Sequence, residues 1–131
     1  MLGYFDAQDG RPKIMIEIKG TKRKVKQLPA LFDTGHNGSL SLPVLELINI
    51  GAKLSSIGEV EFADGISRTV YYFSVKVIID GKEKEVEAAM INNPKATEAI
   101  AGTELFSPFI ALVDFKNKLI KFVSEEELNK K

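Results

Sequence analysis

The chain has 131 residues, of which 44% are hydrophobic, so one domain with its own core is expected. Lysine plus arginine and aspartate plus glutamate each number 18, and this balance gives no electrostatic preference for nucleic acid or an anionic membrane as a partner. Cysteine is absent, which excludes disulfides and thiolate metal sites. No apolar run is long enough to span a bilayer, so we predict a soluble, cytoplasmic protein.

The first elements are two strands and a helix. Alternating apolar and polar residues predict a half-buried strand at 13–19, and residues 22–32 predict a second strand that becomes buried toward its end. After a polar loop, Pro43 fits the first turn of a helix that runs through Ile48. Gly51 is expected to end this helix.

Two Asp-Gly pairs then predict hairpins. Strand-like runs at 58–62 and 67–73 flank the first pair, Asp64-Gly65. Runs at 75–79 and 84–88 flank the second, Asp80-Gly81. The middle of the chain is therefore expected to be antiparallel sheet.

The last third predicts a break, a short helix and a final hairpin. Asn92-Asn93-Pro94 should end the sheet, and residues 102–106 suit a helix that must stop near Pro108. Runs at 109–115 and 118–123 form the last hairpin.

Together these elements predict an all-β fold, a small closed β structure with one or two short helices. No composition shift or low-complexity segment marks a boundary, so residues 1–131 are expected to form a single domain. The ends, 1–10 and 124–131, are the candidates for fraying.

The residues with the clearest chemical meaning are Asp33-Thr34-Gly35. They follow the apolar run 28–32 and open the polar loop 36–39. A carboxyl at the end of a buried strand is poorly placed for stability, because burial disfavours its charged form. Such a carboxyl is a candidate for acid–base chemistry. The alternative is an ordinary Asp-x-Gly turn.

Acid–base hydrolysis by aspartate uses two carboxyls about 3 Å apart that share a proton. One acts as a base on water, and the other polarises the scissile carbonyl as an acid. The chain has one Asp-Thr-Gly, so the second carboxyl must come from Asp33 of another copy across a two-fold axis. Thr34 can then bond across the axis, and Gly35 lets the backbone approach the carboxylates.

The sequence resembles the retropepsin-like aspartic proteases, and looks most like their small single-domain prokaryotic members. The likeness covers about residues 13 to 122. Five segments carry it in order: Ala30-Leu31-Phe32-Asp33-Thr34-Gly35, Asn37-Gly38-Ser39-Leu40-Ser41-Leu42-Pro43, Phe62-Ala63-Asp64-Gly65, Ile100-Ala101-Gly102-Thr103-Glu104-Leu105-Phe106 and Val113-Asp114-Phe115-Lys116-Asn117-Lys118.

The resemblance implies a closed β fold of six to seven strands with one short helix after Gly102. It implies a homodimeric endopeptidase that needs no metal or other cofactor, in which Asp33 of each chain activates water. Thr34 would join the cross-subunit hydrogen bonds beneath the pair. The flap over an extended peptide substrate, bound like an added strand, would be the hairpin tip Ala63, Asp64, Gly65 and Ile66.

Three residues near the expected cleft leave alternatives open. His36 stands where many members of the family have Ala or Ser, and as the only histidine it cannot pair with another one within the chain to hold a metal. Either it tunes the aspartate pair or lines the cleft, or it is a loop residue that faces solvent or a neighbour. Tyr71 and Tyr72 are sheet residues, of which one could reach the cleft.

A second function also fits the sequence, namely a dimeric peptide-binding or assembly module that keeps the fold without useful hydrolysis. The retained Asp33, with its Thr and Gly, favours the peptidase, because a binding module would not need a carboxyl at a costly site. A nucleic-acid-binding barrel is disfavoured by the balanced charge and the lack of a basic, aromatic face.

Overall fold

A computed structural model describes residues 2–130, which form ten strands and three helices. The strands are β1 (Leu2–Phe5), β2 (Pro12–Lys19), β3 (Lys26–Phe32), β4 (Leu40–Pro43), β5 (Lys53–Glu61), β6 (Ser67–Ile79), β7 (Lys82–Ile91), β8 (Ala99–Ala101), β9 (Ile110–Asp114) and β10 (Leu119–Val123). The helices are α1 (Val44–Ile50), α2 (Thr103–Phe106) and α3 (Glu125–Asn129). None of these helices is long and apolar enough to cross a membrane.

The strands form one sheet in the order β5-β6-β7-β4-β8-β3-β2-β1-β10-β9. An additional pairing between β6 and β2 closes six of them into a barrel made of β2, β3, β8, β4, β7 and β6. The pairs β3–β8 and β4–β7 are parallel, and the other pairs are antiparallel. The closed all-β fold predicted from the sequence is confirmed.

The core follows from the alternation in the strands. Ile14, Ile16 and Ile18 of β2 all point inward and are fully buried, and Val75 and Val77 of β6 belong to the same cluster. Burial of a side chain of this size contributes about 1.5–3 kcal/mol. The period of two in the sequence therefore determines which face of each strand forms the inside of the barrel.

Local signals place the first two helices. Pro43 was predicted in the first turn of α1 but is the last residue of β4, and it precedes the helix with an extended backbone (φ −57°, ψ 145°). The helix ends, as predicted, at Gly51, which lies in the left-handed region with φ 66°. Helix α2 begins after Gly102, as predicted. The predicted number of one or two helices is wrong, because α3 follows Ser124, whose side chain forms a capping box with Glu127.

Strand predictions differ from the structure mainly in length. The two runs predicted at 67–73 and 75–79 are one continuous strand, β6, and β5 begins at Lys53 rather than near residue 58. The predicted final hairpin is present as β9 and β10. Strands β1, β4 and β8 were not predicted from the sequence, and the two candidate frayed ends contain β1 and α3.

Lys13 forms ion pairs with three carboxylates that connect the start of the chain to the barrel. Lys13 is only 8% exposed. Its Nζ lies 2.9 Å from Asp9 Oδ2, 3.0 Å from Asp6 Oδ2 and 3.4 Å from Glu98 Oε1. Hydrogen bonds to Asp9 and Asp6 raise the pKa of Lys13. The Lys13 ammonium lowers the pKa of Asp9, and the Gln8 N–H together with Lys13 lowers that of Asp6.

The Lys13 cluster makes stability depend on acidic pH. Because the pKa values of Asp6 and Asp9 lie below 3.8, their contribution is present above pH ~4 and is lost as pH falls through the lowered values. In Lys13→Met, Asp6, Asp9 and Glu98 lose this cation, so we expect a lower Tm at pH 7 and a smaller difference from wild type near pH 3.5. Thermal unfolding at both pH values measures this.

Lys24→Met, at an exposed position before β3, is the matched control and should leave the Tm at both pH values nearly unchanged. An equal loss of Tm in Lys13→Met at the two pH values would mean that packing of the Lys13 stem, and not its charge, holds the cluster.

Candidate active site

The loop that carries Asp33 is positioned by the strands around it. It connects β3 to β4, which flank β8 on either side in the sheet. The Asp33 N–H donates to the carbonyl of Ala101, the last residue of β8, over 3.0 Å. Asp33 is therefore held at the end of a barrel strand, where the sequence analysis expected it.

The carboxyl of Asp33 is oriented by its own turn. Its Oδ1 accepts the N–H of Gly35 over 2.9 Å, and its carbonyl accepts the N–H of His36 over 3.3 Å. In the single chain Asp33 is half-buried, and Thr34 and Gly35 are exposed. The carboxyl is thus less buried than the sequence suggested, because the polar loop leaves this face open.

The first turn of α2 holds the opposite side of this loop. Thr103 donates its N–H to the His36 carbonyl over 2.9 Å, and Gly102 donates to the Ser39 carbonyl over 2.9 Å. A Cβ on Gly102 would lie 2.1 Å from the Gly38 oxygen and 2.6 Å from His36 Cδ2. Such distances are impossible for a side chain, so the close approach of loop and helix requires glycine here.

The imidazole of His36 lies between the loop, β4 and α2. Its Nε2 is 3.4 Å from the Ser41 hydroxyl oxygen, and the residue is half-buried. The sequence left open whether His36 lines the cleft or faces a neighbour. In the structure His36 does both, because it lines a cleft and its ring lies near Ser41.

A cleft of about 990 Å³ separates the Asp33 loop from the strands of the central hairpin. Tyr72 of β6 lines it, and Tyr71, the neighbour that is 38% exposed, does not. The wall combines apolar side chains with a comparable number of polar and charged ones. From the loop side it is formed by Gly35, His36 and Ser39, and from the hairpin side by Val60, Phe62 and Val70.

The hairpin tip predicted as a flap is present between β5 and β6. The Gly65 N–H donates to the Phe62 carbonyl over 2.9 Å, and Gly65 has a φ of 79°. Asp64 Oδ1 accepts the N–H of Ile66, which with Arg68 lowers the pKa of Asp64. The Arg68 guanidinium also lies 4.5 Å from the centre of the Phe62 ring.

The tip residues themselves, Ala63, Asp64, Gly65 and Ile66, are exposed and lie outside the cleft lining. Residues of β5 and β6 beside the tip, such as Val60 and Val70, line the cleft instead. The Asp64-Gly65 pair located the tip in the sequence, but no sequence pattern showed that the strands beside it would line the cleft.

Other chemistry-bearing groups lie away from this site. Asp114 accepts hydrogen bonds from the backbone N–H and side-chain amide of Asn117, and these lower its pKa. Among residues 2–130, no group of three or more His, Asp or Glu side chains is arranged to hold a metal ion. Of the motif Asp33-Thr34-Gly35, Gly35 lines the cleft, and Asp33 and Thr34 are outside its lining.

Comparison of the fold with solved structures gives matches to 27 chains. One is the protease of EIAV complexed with the inhibitor HBY-793, which covers 79% of this chain and 91% of its own, with a TM-score of 0.55 and 16% sequence identity. The chain has a retropepsin-like fold. This confirms the fold that the sequence resemblance implied, and at this identity the likeness concerns fold alone.

No family model matches the chain, and no curated protein matches its sequence. The prokaryotic type and the cytoplasmic location that the sequence suggested therefore stay predictions.

Proposed function

We propose that the protein is an aspartic endopeptidase, active as a homodimer in which Asp33 of both subunits forms the catalytic pair. One observation carries this proposal. A carboxyl bonded to the Gly35 N–H lies at the end of a barrel strand in a retropepsin-like fold, and Gly35 itself lines a cleft of about 990 Å³.

The proposed chemistry needs a proton shared by two carboxyls about 3 Å apart. The ionised carboxyl removes a proton from water, and the protonated one donates to the carbonyl oxygen of the peptide bond as the water attacks. The carboxyl that took the proton from water then gives it to the leaving nitrogen. As the C–N bond breaks, the proton on the former carbonyl oxygen returns to the other carboxyl, which restores the pair with one shared proton. The Gly35 N–H on Oδ1 supports this role, because it fixes the carboxyl without occupying Oδ2.

The exposed face of the Asp33 loop is where we propose that the second subunit binds. The single chain leaves Thr34 and Gly35 open to solvent, and a two-fold axis beside Asp33 would bury both. In that arrangement the Thr34 hydroxyl bonds to the partner's backbone, and the tip Ala63–Ile66 closes over the peptide as the flap. The substrate lies extended in the cleft and is bound through its backbone.

The test is a digest of an unbiased peptide library from acidic to neutral pH, with sedimentation of the same protein. We expect cleavage within peptides and a dimer. A strict monomer at high concentration would overturn the shared catalytic pair. A dimer that binds peptides and cleaves none of them would favour the binding or assembly module.

A further inference from the structure

We propose that His36 is a specificity-determining residue, and that its imidazole is a fixed wall of the cleft that restricts the substrate to small side chains beside the scissile bond. The proposal rests on the proposed peptidase function. It concerns which peptides enter the cleft, and not the hydrolysis step.

The position of His36 follows from its place in the turn. It is the third residue after Asp33, and its N–H donates to the Asp33 carbonyl over 3.3 Å. His36 lines the cleft together with Gly35. Because Gly35 has no side chain, His36 is the first residue after the Asp33 turn whose side chain can contribute to this wall.

The imidazole has little room to move away. A Cβ on Gly102 would lie 2.6 Å from His36 Cδ2, and a Cβ on Gly38 would lie 3.2 Å from Nε2. The ring thus lies against two glycines, and Ser41 Oγ is 3.4 Å from Nε2. The backbone carbonyl of His36 accepts hydrogen bonds from the N–H and the hydroxyl of Thr103, at 2.9 and 3.3 Å.

Because the His36 ring is packed on several sides, it cannot move to admit a larger ligand without strain. Overpacking a well-packed site by a methylene or more costs about 1–3 kcal/mol. One methylene too many in a pocket changes selectivity by about 10–200-fold. A large side chain directed at the ring is therefore excluded, while alanine or serine fits.

The experiment compares wild type with His36→Ala, His36→Ser and His36→Leu. Two readouts are used: side chains flanking the cleaved bonds in a peptide library, and binding of two non-cleavable peptide analogues with Ala or Phe at the central position. We expect wild type to bind the Ala analogue at least about tenfold more tightly, and His36→Ala and His36→Ser to lose most of that preference.

His36→Leu separates size from hydrogen bonding, because leucine restores bulk without a ring nitrogen. It should restore the preference for Ala. The control is Asn92→Ala, which enlarges the cleft at a lining residue beyond the end of β7 and should keep the wild-type preference. Thermal unfolding identifies any variant that does not fold. If only one of His36→Ala and His36→Ser folds, the binding ratio of that variant decides the test.

An unchanged Ala-over-Phe ratio in the folded small variants, or equal binding of the two analogues by wild type, would overturn the proposal. The library reports separately on the peptidase. If wild type cleaves nothing but the binding preference is present and lost in His36→Ala, the proposed hydrolysis fails and the assignment of His36 stands.

Discussion

Replacement of Asp33 by asparagine is expected to abolish peptide cleavage and to leave a folded dimer. Asparagine has nearly the same shape and retains an Oδ1 that can accept the Gly35 N–H, now at 2.9 Å. It cannot take up or release a proton, so the acid–base pair is lost. A positioned acid or base contributes about 10²–10⁴-fold, and we expect kcat to fall at least about a thousand-fold.

The matched control is Asp114→Asn, which makes the same change in a turn carboxylate away from the cleft. This variant should cleave at the wild-type rate, with at most a small loss of stability, because only the bonds to Asn117 change. Sedimentation of both variants checks that each remains a dimer.

Mixing experiments test whether the site is shared between subunits. Wild type and Asp33→Asn are combined at constant total concentration and allowed to exchange subunits. If one pair of carboxyls needs both chains, activity falls with the square of the wild-type fraction, because mixed dimers are inactive. A linear fall would mean that each chain acts alone, and undiminished cleavage by pure Asp33→Asn would remove Asp33 from the mechanism.

The parts of the fold that the sequence predicted are those with local causes. Alternating residues in β2, the Asp-Gly turn at residues 64–65 and the left-handed Gly51 each depend on a few neighbouring residues. Strand β8 has three residues and is defined by its neighbours β3 and β4, so it gave no periodic signal. The capping box at Ser124 was readable in the sequence, but residues 124–131 were a candidate for fraying.

The candidate site divides in the same way. Asp33-Thr34-Gly35 was recognisable as a motif, and its turn has the expected backbone N–H on the carboxyl. The contact of His36 with Gly102 joins residues far apart in the chain, and the sequence around each of them does not predict it. Whether Tyr71 or Tyr72 faces the cleft depends on the register of β6, which only the assembled sheet determines.

Gly102→Ala is the substitution for which we expect the largest loss of stability outside the core. The added Cβ would lie 2.1 Å from the Gly38 oxygen and 2.6 Å from His36 Cδ2, so the loop and α2 must move apart. Forced overpacking of this kind costs about 1–3 kcal/mol or more. Urea unfolding at a fixed protein concentration measures it, because the stability of a dimer depends on concentration.

Gly58→Ala is the control. There an added Cβ would meet Tyr72 Cε2 at 3.4 Å, an ordinary contact, and the free energy of unfolding should change by less than about 1 kcal/mol. If Gly102→Ala were as stable as this control, the backbone of α2 would not be pressed against the Asp33 loop.

Activity separates a general loss of stability from displacement of the loop. The helix that Gly102 precedes bonds to the His36 carbonyl, and His36 in turn bonds to Asp33. If α2 moves, these hydrogen bonds displace Asp33 and its carboxyl. A shift of about 1 Å at a catalytic group can lower the reaction rate about 100-fold. We therefore expect kcat of Gly102→Ala to fall about 100-fold at a temperature where the variant is fully folded. A wild-type kcat in the folded variant would mean that Asp33 is positioned by its own turn and by β8, without help from α2.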